Sequence, residues 1–147
     1  MCVPGAFDHG AMHEPEVRFQ ADELRSLLAE VYGSVPDSER TRSLTGRKLV
    51  VAFEFQQPDL RLIVDGRGER AAVRFEDLDT APHLTFRLAG PAIHPFFTGE
   101  LNAMRAVMSG QLHIVGPLLT ALAIYPAMPE VQAAYRRIWA QRQSAIR

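Results

Sequence analysis

The sequence predicts an α+β fold of two layers: a five-stranded, mostly antiparallel sheet covered on one face by helices. Three observations carry this expectation. The hydrophobic period is 3.6 towards both ends of the chain and 2 in its middle. Five separate segments alternate, each with one side uniformly apolar and the other mixed, so the sheet they build has one face to bury. The only material able to cover that face is the helical sequence before the strands, after them and between the fourth and fifth. At 147 residues the chain suits one domain, in which folding buries roughly 68–70% of the unfolded surface.

Residues 1–16, MCVPGAFDHGAMHEPE, hold two prolines and two glycines without periodicity and predict a flexible tail ahead of a domain over 17–147. Cys2, Asp8, His9 and His13 are metal-ligand types, but their spacing matches no ligand pattern. His13-Glu14 is followed by Pro15, which would break the helix that a second histidine needs, so no metal is expected. From Phe19 to Tyr32, Leu24, Leu27, Leu28 and Val31 fall on one helical stripe, and Gly33 ends it. Pro36 to Gly46 is polar, with Asp37, Ser38 and Glu39 as capping chemistry for a short helix.

The strands follow. In KLVVAFEF, Leu49, Val51, Phe53 and Phe55 are apolar while Lys48, Val50, Ala52 and Glu54 are mixed. The same asymmetry recurs in Leu60, Leu62 and Val64, then in Ala71, Val73 and Phe75, then in Leu84, Phe86 and Leu88, and last in Leu112 and Ile114. Gln57-Pro58-Asp59 and Asp65-Gly66-Arg67-Gly68 carry turn residues, so the first three strands form an antiparallel meander. AGPAIHPFFTG is too rich in Pro and Gly for one long helix. In LNAMRAVM, Leu101, Met104 and Met108 share a helical face, and Gly110 stops it. Gly116 to Pro126, with Pro117 at a first helical position, is nearly all apolar and predicts a buried helix. From Pro129 a last helix carries Val131, Ala134, Tyr135, Ile138 and Trp139 on one stripe.

Several function classes drop out. With 16 basic against 17 acidic residues and a net charge of −1, the chain lacks the Lys/Arg excess that nucleic acid binding needs. The single cysteine, Cys2, excludes a disulfide framework. No run approaches 18 apolar residues and the start lacks a signal-peptide pattern, so no integral membrane segment and a cytoplasmic location are expected. DGRGERA contains G-x-G-x-x-A but joins strand to strand and reads as a turn, not a phosphate cradle. There is no nucleophile elbow, P-loop or paired-cysteine motif, and hence no cofactor is implied.

The polar residues that stand out are few. His94, in PAIHPFF, is a candidate acid, base or ligand anchor, with a backbone-bonded loop histidine as the plainer alternative. Tyr125, Tyr135 and Trp139 suit either core packing or the rim of a cavity, and His113 belongs to the mixed sheet face. Glu100, Asn102 and Arg105 at a helix start suit capping or solvation. The cover itself is bulky and soft, with Phe96, Phe97, Leu101, Met104, Met108, Leu118, Leu119, Leu122, Ile124 and Met128 on short elements broken by Pro and Gly. Such a layer either encloses an apolar cavity or packs as a solid core.

FFTGELNAMRAVMSGQLHIVGPLLTALAIYPAM resembles the sterol carrier protein 2 (SCP2) lipid-binding family. There a glycine-ended segment, a short helix, a Gly, a strand and another Gly precede the closing helices. The matching features are Thr98-Gly99, Leu101 to Met108, Ser109-Gly110, Gln111 to Val115, and Gly116. The leading helix, the meander and the HLTFRLAG strand are also similar to the family's, so the resemblance spans about residues 19 to 141. Pro117 stands where members often carry Asp or Asn. The peroxisomal tripeptide of eukaryotic members is absent after Ala145-Ile146-Arg147, in keeping with a bacterial-type protein. The resemblance implies an SCP2-like apolar tunnel between the sheet and the later helices, taking fatty acyl chains, sterols or other hydrophobic molecules.

On that basis the first expectation is a cofactor-free carrier of a hydrophobic small molecule, an acyl chain, a sterol or a polyketide- or terpenoid-like compound. Phe75, Phe86, Phe96, Phe97, Leu101, Met104, Met108, Leu118, Leu122 and Trp139 are the expected lining. A second reading is a cofactor-independent isomerase or cyclase of secondary metabolism using the same cavity, with His94 or Tyr125 moving a proton. A third is a homodimer joined through the mixed sheet face around Val50, Ala52 and Ile63.

Overall fold

The computed structural model describes residues 17–36, 38, 41–75 and 81–146, so the tail with Cys2, Asp8, His9 and His13, and the capping candidates Asp37 and Glu39, lie outside the described residues. In chain order the elements are α1 (Ala21–Gly33), α2 (Arg42–Gly46), β1 (Val50–Gln56), β2 (Leu60–Asp65), β3 (Ala72–Arg74), β4 (Leu84–Ala89), α3 (Gly90–Thr98), α4 (Ala103–Ser109), β5 (Leu112–Val115), α5 (Leu118–Ile124), a 3₁₀ turn (Tyr125–Ala127) and α6 (Met128–Ile146). The five strands form one sheet in the order β3-β2-β1-β4-β5. Every pair is antiparallel except β1 with β4, which run parallel with Phe53 opposite Phe86.

The period-2 pattern sets the two faces. Val51, Phe53, Phe55, Leu62, Val64, Leu84, Leu88 and Leu112 point to the helical side and join one core with Leu24, Leu27, Leu28 and Val31 of α1. α6 packs against α1 and α3, burying Val131, Ala134, Tyr135 and Ile138. Two polar clamps hold this layer. Arg142 pairs with Glu30 at 2.7 Å across α6 and α1, and Arg136 donates to the Thr98 carbonyl at 2.7 Å where α3 ends. Among the described residues no helix is long and apolar enough to cross a membrane.

Three expectations are corrected. Gly90–Thr98 is one nine-residue helix despite its prolines. Pro91 sits in the first turn, where no intrahelical donor is needed, and Pro95 forfeits one bond. The dimer patch is not on the surface, since Val50, Ala52 and Ile63 form a second buried cluster, 0–1% exposed. The apolar helix α5 is not buried either, because only Ala121 is enclosed while Leu118 and Leu119 are 65% and 80% exposed.

Glycine is required at the ends of the α4–β5 unit. Gly110, at φ 82°, turns the chain left-handed and ends α4. Gly116, at φ 130°, lies so close to β4 that a Cβ there would stand 2.7 Å from the His83 carbonyl oxygen. Asn102 opens α4 by accepting from the Arg105 N–H at 3.0 Å, which gives that polar cluster its role.

Candidate functional site

A cavity of about 810 Å³ lies between the inner sheet face and the later helices. Its floor crosses the whole sheet: Val73 of β3, Val64 of β2, Val51 and Phe53 of β1, Phe86 of β4, and Leu112 and Ile114 of β5. Four interstrand steps make that span about 19 Å. The roof comes from Leu118, Ala121, Leu122 and Ile124 of α5, from Tyr125 and Ala127, and from Met128, Val131 and Gln132 of α6. Phe96 of α3 and Leu101, Ala103, Met104 and Val107 in and before α4 close one side; Tyr32 and Leu44 close the other. The volume falls in the roughly 300–1,000 Å³ range of small-molecule sites.

Why the chain leaves this space open follows from its local structure. α4 and α5 are seven residues each and are separated by a strand and tight glycine turns, so they bridge the sheet edge without descending onto it. Met104, Val107, Leu118, Leu122 and Tyr125 line the cavity and are also 43–72% exposed. Apolar side chains in that double position mark a mouth. The ionised side chains in the wall are Glu69 and Arg70, both exposed on the β2–β3 loop.

Of the ten expected lining residues the structure brings six to the wall: Phe86, Phe96, Leu101, Met104, Leu118 and Leu122. The other four lie elsewhere, for separate reasons. Phe97 is fully buried and stacks on Tyr135 at 5.4 Å, joining α3 to α6. Trp139 packs on His94 at 4.6 Å and edge-on to Phe19 at 5.8 Å, behind that joint. Phe75 lies under the Arg25 guanidinium, 5.4 Å from its ring centre. Met108 points outward, 82% exposed.

His94 and Tyr125 do not meet in the cavity. His94 Nδ1 is hydrogen-bonded to the Tyr135 hydroxyl at 2.8 Å, and neither residue belongs to the cavity wall. Burial pushes the Tyr135 phenol well above the usual tyrosine range, so it stays protonated within this pair. Tyr125 sits at the mouth. Among the described residues no three His, Cys, Asp or Glu side chains converge as a metal site.

Sequence reasoning missed two groups. The small strand residues of the floor, Val51, Val64, Val73, Leu112 and Ile114, were expected on the inner face but not singled out. Tyr32 was seen only as a helix end, although it stands four residues after Leu28 and therefore on the edge of the buried stripe.

Comparison with known proteins gives a consistent picture. The model of the SCP-2 sterol transfer family matches residues 24–128. Sterol carrier protein 2 from Yarrowia lipolytica, in its apo form, superposes with a TM-score of 0.57 at 14% identity, covering 76% of this chain and 91% of that one. The sterol carrier protein domain 2 of Helicoverpa armigera gives 0.61 at 12% identity, covering 80% and 95%. A conserved hypothetical protein from Thermus thermophilus, described as possibly a sterol carrier protein, gives 0.54 at 14% identity, covering 86% and 92%. At such identities the likeness is one of fold. No curated protein matches.

Proposed function

The chain belongs to the SCP-2 sterol transfer family, whose fold it shares, and on that premise we propose that it binds one hydrophobic small molecule in the cavity over its sheet and carries it through water. Family and fold together support lipid binding or transfer in general. The ligand classes that suit the cavity are a fatty acyl chain, a sterol, or a polyketide- or terpenoid-like compound. The observation that carries this reading is the wall itself: about 810 Å³ floored by apolar side chains from all five strands.

The energetics favour such an occupant. Each 100 Å² of apolar ligand surface removed from water contributes about 2.5 kcal/mol before ordering costs. Met104, Leu118 and Leu122, 59–72% exposed at the mouth, gain cover when a ligand enters. Phe86, Phe96 and Leu101 supply the inner contacts.

Native mass spectrometry of gently purified protein, with uptake of the neutral apolar fluorophore N-phenylnaphthylamine, tests this. Co-purifying ligand mass or saturable uptake is expected, with uptake lost in Ala121→Trp, whose ring fills the space under α5. A ligand-free protein that takes up no fluorophore would remove the reading.

A further inference from the structure

The cavity wall is mostly apolar but carries polar residues from several elements, His113, Tyr125 and Gln132 among them. At one end, on the last turn of α1, Tyr32 contributes to the wall. Tyr32 is half-buried and its side chain belongs to the cavity lining. The Tyr32 hydroxyl makes no hydrogen bond to any of the described residues. Another polar side chain of the wall, the Gln132 amide, is already donating to the Phe96 carbonyl at 3.0 Å. The fully buried tyrosine, Tyr135, has its partner in His94. Once an apolar body fills the space and excludes water, a hydroxyl without a partner costs free energy unless the ligand supplies an acceptor.

We propose that the Tyr32 hydroxyl is the anchor for the polar head of the ligand, donating a hydrogen bond to an uncharged oxygen, a hydroxyl or carbonyl, while the apolar body runs across the strands towards Phe86 and Ile114. The assignment rests on the cavity being a ligand site, and it adds the ligand's head group and direction. Burial raises the Tyr32 phenol well above the usual tyrosine range, so the group remains a donor through the physiological range. A carboxylate head suits this end poorly. The cation in the wall is Arg70, on the exposed β2–β3 loop and beside Glu69, where solvent weakens its pull. A pure hydrocarbon would leave the hydroxyl unsatisfied.

The test is displacement of N-phenylnaphthylamine from the full chain by dodecanol, dodecane and dodecanoate, with wild type, Tyr32→Phe and Arg70→Gln. Tyr32→Phe keeps the ring and so the packing of α1. The proposal expects dodecanol to bind roughly 3–10-fold more weakly to Tyr32→Phe than to wild type, the range one hydrogen bond supplies. It expects fluorophore affinity and dodecane binding to be retained or improved. Retained fluorophore binding with dodecanol affinity unchanged in Tyr32→Phe would overturn the anchor and leave the cavity as the ligand site. Preference for dodecanoate, lost in Arg70→Gln and untouched by Tyr32→Phe, would overturn it in favour of an ionic head site. Failure of wild type to bind the fluorophore or any of the three displacers would overturn the cavity reading and the anchor together.

Discussion

Phe53 and Phe86 lie opposite each other on the parallel β1–β4 pair, their ring centres 5.2 Å apart and their planes 23° from parallel, and both belong to the cavity floor. They are not equivalent. Phe53 is 3% exposed and also contacts the rings of Phe55, Phe96 and Phe97, whereas Phe86 is half-buried with open space above it. Phe53→Ala should therefore lower stability by about 3–5 kcal/mol. Phe86→Ala should cost clearly less and enlarge the cavity. Urea unfolding of both variants decides, and equal losses would show that no space adjoins Phe86.

Leu118 and Leu122 give a second prediction. They are 65% and 59% exposed, so replacing both with Ser should change stability by no more than about 0.5 kcal/mol per site. The same substitutions should weaken uptake of an apolar probe, because these residues gain their cover from the ligand. Thermal melts and probe titration read the two effects separately. A large stability loss with unchanged uptake would make them core residues.

Much of this was readable in the residues, and what was not has physical reasons. The alternation at Val51-Phe53-Phe55 and Leu84-Phe86-Leu88 names the buried face of each strand, because side chains of a strand must alternate. It carries no information on direction, so the parallel pairing of β1 with β4 could not be read from it. The all-apolar run through Leu118 and Leu122 pointed to burial, since composition does not reveal that a helix lies over a void. Phe97 and Trp139 were grouped with the lining because they are large and aromatic; their rings instead join α3 to α6. Tyr32 was hidden by a helix-face argument that marks which residues are inside but not which inner oxygen lacks a partner.

Asp65 ends β2 nearly buried, with Arg67 donating Nε and Nη2 to its two oxygens at 3.0 Å each. The Arg67 hydrogen bonds hold this carboxyl below its ordinary value of 3.8, burial opposing them. A depressed folded-state value means the unfolded chain takes up this proton first. The stabilisation is therefore full above about 3.8 and is lost as the pH falls through the lower folded-state value. Asp65→Asn should flatten the acid limb of stability against pH in urea melts compared between pH about 6 and about 3. An unchanged acid limb would assign acid sensitivity to other carboxylates.

The most direct measurement is an isotope-filtered NMR experiment on methyl-labelled chain saturated with dodecanol. A ligand lying across the sheet should give intermolecular NOEs to methyls of Val51, Val64, Val73, Leu112 and Ile114, which line the floor from one sheet edge to the other. NOEs confined to exposed methyls such as Leu119 and Ile146, or none at saturating ligand, would contradict a ligand site between sheet and helices.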